Sequence, residues 1–131
     1  MIFTKKKLLI IDDEPSIRLI LEHYFSSEYD VVLTSNGQEA LNWLQTGQQP
    51  DAIVADYEMP QMNGLEFTKR LRASSAHKST PLLMLSVTDE SSKKIMCLKQ
   101  GADDYIVKPF NPEELEIRIR KVLDRMQVHT Y

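Results

Sequence analysis

The chain has 131 residues, enough for one domain with a core that needs no disulfide staples. Its net charge of −3, from 16 basic and 19 acidic residues, argues against wrapping nucleic acid, because such binding rests on phosphate neutralisation. One cysteine, Cys97, excludes an intrachain disulfide, and no apolar run approaches the length of a membrane span. A soluble, cytoplasmic protein without membrane or direct nucleic-acid partners is therefore expected.

In chain order, Lys7–Ile11 is a continuous apolar run that ends at Asp12-Asp13-Glu14. Unbroken apolarity over four to eight residues fits a strand buried on both faces. Pro15 suits a helix start, and Ile17, Ile20, Leu21, Tyr24 and Phe25 recur at helical spacing. A second strand is expected over Asp30–Thr34. Asn36-Gly37 breaks it, and Ala40, Leu41 and Leu44 mark a second helix. Gly47 to Pro50 is a loop, and Ala52–Ala55 is a third buried strand closed by Asp56.

After a loop from Pro60 to Gly64, Leu65–Leu71 carries a third helical stripe, and Ala73–Thr80 reads as a connection. Pro81–Ser86 is a fourth buried strand. Glu90–Gln100 is a helix with Ile95 and Leu98 as its apolar residues, and Gly101 stands at its C-cap. Asp104–Lys108 is a short fifth strand. Asn111-Pro112-Glu113-Glu114 has the form of a capping box, and Leu115, Ile119, Val122, Leu123 and Met126 line the last helix. Gln127–Tyr131 reads as a frayed tail. Five alternations of strand and helix predict an α/β fold, a doubly wound parallel sheet with helices on both faces, in a single domain with its core at about residues 7–126.

Four of the predicted strands end in a polar residue able to do chemistry: Asp12-Asp13, Asp56, Ser86 and Lys108. Asp12 alone, or Asp56 alone, would serve equally well as a turn or helix cap. In a parallel sheet, however, all four strand ends meet along one edge, where open α/β sheets bind ligands. Three close carboxylates repel one another, and a hard cation relieves that repulsion. Mg²⁺ is usually held by one or two carboxylates plus phosphate, which predicts a site on Asp13 and Asp56, with Asp12 acting mostly through water. A phosphoryl group there would find a charge on Lys108 and a hydroxyl donor on Ser86. The implied reaction is attack by an aspartate on phosphorus.

These residues, with Met59-Pro60, Gly64 and the run Gly101–Phe110, resemble a response-regulator receiver domain of two-component signalling, of the chemotaxis-regulator type. The resemblance implies a flavodoxin-like sheet of order 2-1-3-4-5. It implies that Asp56 accepts phosphate from a histidine kinase or histidine phosphotransfer protein. Mg²⁺ would be held by Asp13, Asp56 and the backbone carbonyl of Glu58, and the Lys108–Pro109 bond would be cis. Ser86 and Tyr105 would form a switch that re-sets the face of the fourth helix, fifth strand and fifth helix for a protein target or homodimer. The chain would thus catalyse only its own phosphorylation and dephosphorylation.

Two positions set this chain apart: Val87, where the family usually carries a smaller alanine, and Glu58, an acid two residues past the acceptor. Val87 would narrow access to the phosphate. Glu58 would repel water or pair with Lys108 or a basic residue of the fourth helix. Both would alter phosphate lifetime. The Gly101–Phe110 wording also occurs in receivers of longer DNA-binding transcriptional regulators, which is an alternative reading. A flavodoxin-like cofactor binder is disfavoured because Asp12-Asp13-Glu14 would repel a flavin phosphate. An aspartate-nucleophile hydrolase would need a cap domain, and a phosphorylation-independent pseudo-receiver would not need the full acidic set and lysine. Cys97 and the three histidines (His23, His77 and His129) fit packing or surface roles. Arg118-Ile119-Arg120-Lys121 reads as a solvated face, or else as a docking surface shared with Asp103 or Asp104.

Overall fold

The computed structural model describes residues 4–128. The expected strands and helices all form: β1 (Lys6–Ile11), α1 (Pro15–Phe25), β2 (Tyr29–Thr34), α2 (Gly37–Leu44), β3 (Ala52–Asp56), α3 (Gly64–Ala73), β4 (Leu82–Ser86), α4 (Ser91–Gln100), β5 (Asp104–Val107) and α5 (Pro112–Val128). The strands make one sheet in the order β2-β1-β3-β4-β5, parallel throughout.

The unbroken apolar runs explain the layers. Leu8 and Ile10 face one side of the sheet, where Leu21 and Phe25 of α1 and Leu115, Ile119 and Leu123 of α5 cover them. Leu9 and Ile11 face the other side, with Ala40 and Leu44 of α2, Phe67 and Leu71 of α3 and Cys97 of α4. Each residue of β3 and β4, and Leu8–Ile11 of β1, is thus buried whichever way it points, which is why period-two alternation is missing from these runs. Cys97 is a buried packing residue, as expected.

Local chemistry sets the helix ends. The Asn36 side chain accepts from the Glu39 amide at 2.8 Å, and Asn63 from the Glu66 amide at 3.0 Å. Gly101 closes α4 with φ 122°, a left-handed conformation that favours glycine. The Asn111 side chain caps the Glu113 amide at 2.8 Å, but the reciprocal half of the capping box does not form. Glu114 instead pairs with Arg118, which is closer to it on the helix face.

Other expectations shift. Ile20 and Tyr24 of α1, and Ile95 and Leu98 of α4, lie on exposed faces, as does Met126 of α5. The apolar stripes are therefore narrower than the spacing implies, and α4 contributes Cys97 to the core instead. Met59, Met62 and Met84 fill core gaps, whereas Met96 is exposed. The connection after α3 holds one 3₁₀ turn, Ser75–His77. β5 stops at Val107, one residue before Lys108. Of the expected tail, Gln127 and Val128 continue α5 and residues 129–131 lie outside the described residues.

Candidate functional site

The carboxyl edge of the sheet gathers the polar strand ends. The Asp12 amide donates to the Thr34 carbonyl at 3.2 Å, just past β1. Asp56 is the last residue of β3, paired in register with Leu85 of β4. Lys108 follows β5, and its amide donates to the Ser86 carbonyl at 2.7 Å. Parallel pairing thus places side chains from four strands within one crevice.

Asp12, Asp13 and Asp56 each offer a carboxylate oxygen within 4.8 Å of the others. Asp12 and Asp56 are buried, while Asp13 is exposed at the rim. Lys108 reaches across from β5, with Nζ 3.1 Å from Asp56 Oδ1 and 3.4 Å from Asp12 Oδ2. Asp12 Oδ1 accepts from the Glu14 amide at 2.9 Å, so this residue both caps the turn into α1 and faces the site. The Lys108–Pro109 bond is cis, as expected.

Burial pushes the Asp56 carboxyl up to about 6; the Lys108 ammonium opposes the rise and the Asp12 charge adds to it. Burial alone would lower the Lys108 ammonium, but Asp56 and Asp12 outweigh it and hold Lys108 above its usual value. The two oxygens of Asp56 differ. Oδ1 is held by Lys108 and, at 3.3 Å, by the Glu58 amide. Oδ2 accepts no hydrogen bond among the described residues. Among the described residues no buried polar side-chain atom lacks a partner, so Oδ2 keeps a small contact with solvent.

The donor set suits a hard cation. It is all oxygen and carries more negative charge than one lysine offsets. Among the described residues the Glu58 carbonyl accepts no hydrogen bond, which leaves it available as a neutral fourth oxygen.

Ser86 is fully buried at the end of β4. Its hydroxyl donates to Glu58 Oε2 at 2.7 Å, and Glu58 Oε1 accepts from the Val87 amide at 3.1 Å. This differs from the expected pairing of Glu58 with Lys108 or an α4 base. The reason is register: the Tyr57 amide donates to the Leu85 carbonyl at 2.7 Å, which sets residue 58 opposite residues 86 and 87. Lys108 is already engaged by two aspartates.

Tyr105 lies inward, buried, with its hydroxyl donating to the Thr88 carbonyl at 2.8 Å, and burial pushes its phenol up. Val87 is 65% exposed and, with Ile17, Ile20, Pro109 and Phe110, lines an apolar cleft of about 440 Å³ bordering Lys108. Ile20 thus lines this cleft rather than the core.

Three participants escape sequence reasoning. Thr88 joins Tyr105 to Ser86 through its carbonyl and through an amide 3.2 Å from Ser86 Oγ. Arg18 braces the site by donating to the Asp12 carbonyl at 2.7 Å. Arg72 donates to the carbonyls of Gly101 (2.8 Å), His77 (2.9 Å) and Thr80 (2.7 Å) and meets Asp103 at 3.2 Å, tying α3 to the loops flanking β4 and β5. No periodicity marks such backbone partners. Arg118 is engaged within the chain: it holds Asp104 with two bonds, at 3.0 and 3.1 Å, and also pairs with Glu114.

A five-stranded parallel sheet with three aspartates and a lysine at its carboxyl edge defines the class, a phosphoacceptor module of two-component signalling. Residues 8–120 match the family model of the response regulator receiver domain, and the chain belongs to that family. It is 41% identical over 124 residues to the alkaline phosphatase synthesis transcriptional regulatory protein PhoP of Bacillus subtilis, covering 94% of this chain and 50% of that protein. It is 46% identical over 123 residues to the probable transcriptional regulator ycf27 of Guillardia theta, covering 93% of this chain and 47% of that one. The chain spans about half the length of these curated relatives.

Among solved structures, the chemotaxis response regulator CheY4 of Vibrio cholerae superposes with a TM-score of 0.84 at 39% identity, covering 91% of this chain and 99% of that one. The receiver domain of sensor histidine kinase PA1611 of Pseudomonas aeruginosa, solved with magnesium coordinated in its active-site cleft, gives 0.84 at 26% identity, covering 92% and 99%. No described helix is long and apolar enough to cross a membrane.

Proposed function

We propose that Asp56 is the phosphoacceptor of this receiver, taking a phosphoryl group from a histidine kinase or histidine phosphotransfer protein in the cytoplasm. The observation that carries this reading is the asymmetry of Asp56. One oxygen is fixed by Lys108 and the Glu58 amide, and the other accepts no hydrogen bond among the described residues and keeps a small contact with solvent. A carboxylate held in this way presents a single aimed nucleophilic oxygen.

Asp13 and Asp56, the Glu58 carbonyl and, through water, Asp12 would hold Mg²⁺. When bound, the cation neutralises charge on the carboxylates and on the phosphoryl oxygens. Lys108 supplies the remaining fixed positive charge, and Ser86 is the hydroxyl donor at the next strand. The chain acts stoichiometrically, as a switch and not as a turnover enzyme. The domain reads out through α4, β5 and α5, where Ile95 and Leu98 are exposed, to a target protein or a second copy. The cleft lined by Ile17, Ile20 and Val87 borders Lys108, on the surface a phosphodonor protein covers to reach Asp56.

The transcriptional relatives favour a second, compatible reading: that this receiver governs a DNA-binding segment. The test of the chemistry is incubation with acetyl phosphate and Mg²⁺ followed by intact mass. One phosphoryl adduct is expected, absent in Asp56→Asn. A folded wild-type protein that gains no adduct would overturn the reading in favour of a phosphorylation-independent module.

A further inference from the structure

Ser86 has one hydroxyl proton and Val87 one amide proton, and both are committed to Glu58, at 2.7 and 3.1 Å. These donors follow Leu85, the residue paired with Asp56, at the last residue of β4 and just past it. A phosphoryl group on Asp56, whose register partner Leu85 immediately precedes them, would draw on these neighbouring donors, and neither proton can serve two anions at full strength. The Glu58 contact is also the first link of a longer chain. Ser86 Oγ accepts from the Thr88 amide at 3.2 Å, and the Thr88 carbonyl accepts from Tyr105 at 2.8 Å.

We propose that the Glu58 side chain is an internal anion that occupies the phosphoryl group's donors in the resting site, so that phosphorylation requires its displacement. This rests on Asp56 as the acceptor. With acetyl phosphate, an Asp56 oxygen forms the new P–O bond, and the P–O bond to the acetyl group breaks. Acetate leaves with that electron pair, and no net proton is moved. As the phosphoryl group arrives, the Ser86 hydroxyl and the Val87 amide turn from Glu58 to its oxygens. Glu58 is thus a positioning residue, and its release is felt through Thr88 at Tyr105.

The test compares the wild-type protein with Glu58→Ala and Glu58→Asp. Initial adduct formation is read by intact mass, and the Val87 and Thr88 amide resonances are read without donor. Glu58→Asp keeps the charge but is one methylene short of spanning both partners. Hydrogen bonds to a charged group correspond to roughly ten- to a hundredfold in an equilibrium. Both variants are therefore expected to accept phosphate about tenfold faster or more, with shifted Val87 and Thr88 amides. An Asp variant as slow as wild type would show that charge repulsion alone acts, and would overturn the proposal. So would unmoved amides in Glu58→Ala. Equal rates in all three proteins, each forming the Asp56 adduct, would defeat the Glu58 proposal and leave the acceptor assignment standing. No adduct in any of them would defeat both.

Discussion

Replacing Asp56 by Asn should make this protein more stable, although it removes the proposed acceptor. Asp56 is 2% exposed, and its carboxyl is raised from 3.8 to about 6, chiefly by burial. A carboxyl that is harder to ionise in the fold than in the unfolded chain penalises the native state once ionised. Between the two values the native state holds the proton and the unfolded state does not. Stability therefore falls as pH rises through this window, and the penalty is complete above it. A shift of about two units at roughly 1.4 kcal/mol each sets an upper bound near 3 kcal/mol. Solvent reaching the Oδ2 side screens part of this, leaving about 1–2 kcal/mol. Asn approximates the protonated side chain, so Asp56→Asn should gain about that much at pH 7.5 in metal-free buffer. Urea unfolding with linear extrapolation measures it. The gain should shrink towards zero near pH 4, where wild-type Asp56 is protonated in the fold. A variant less stable than wild type at pH 7.5, or a gain of equal size at pH 4, would refute the argument.

Three further outcomes follow from the geometry. Millimolar Mg²⁺ should raise the thermal midpoint of the wild-type protein by mass action, and Asp13→Asn should abolish most of that rise without unfolding the chain, as read by calorimetry. Gly64→Ala should destabilise by about 1–3 kcal/mol in chemical unfolding, because the new Cβ would lie 2.8 Å from Tyr57 Cα and hard against Met84 Sδ. Arg72→Ala should lower stability by about 2–4 kcal/mol and speed amide exchange in the loop before β5, since it strips the Gly101, His77 and Thr80 carbonyls of a half-buried donor.

The sequence by itself determined the layers and the edge. Apolar runs such as Leu8–Ile11 and Leu82–Leu85 have no polar face, so they must be covered on both sides, and alternation with helices then makes the sheet parallel. Once it is parallel, Asp12, Asp56, Ser86 and Lys108 share an edge regardless of their distance along the chain. Helix stripes were less legible. Ile20, Tyr24, Ile95 and Leu98 have helical spacing, but a helix packed on a flat sheet buries a narrower band than its apolar residues span.

Only the tertiary structure decided which partner each polar group takes. Lys108 could have met any acid in the crevice, and distance gives it to Asp56 and Asp12. Glu58 could have paired with a base, but register sets it opposite Ser86 and the Val87 amide. Arg72 spends its donors on backbone carbonyls, which carry no sequence signature. The physical reason is range. Burial sums over whole segments and so is written in composition and period, whereas a hydrogen bond depends on a few tenths of an ångström, which only the packed chain sets.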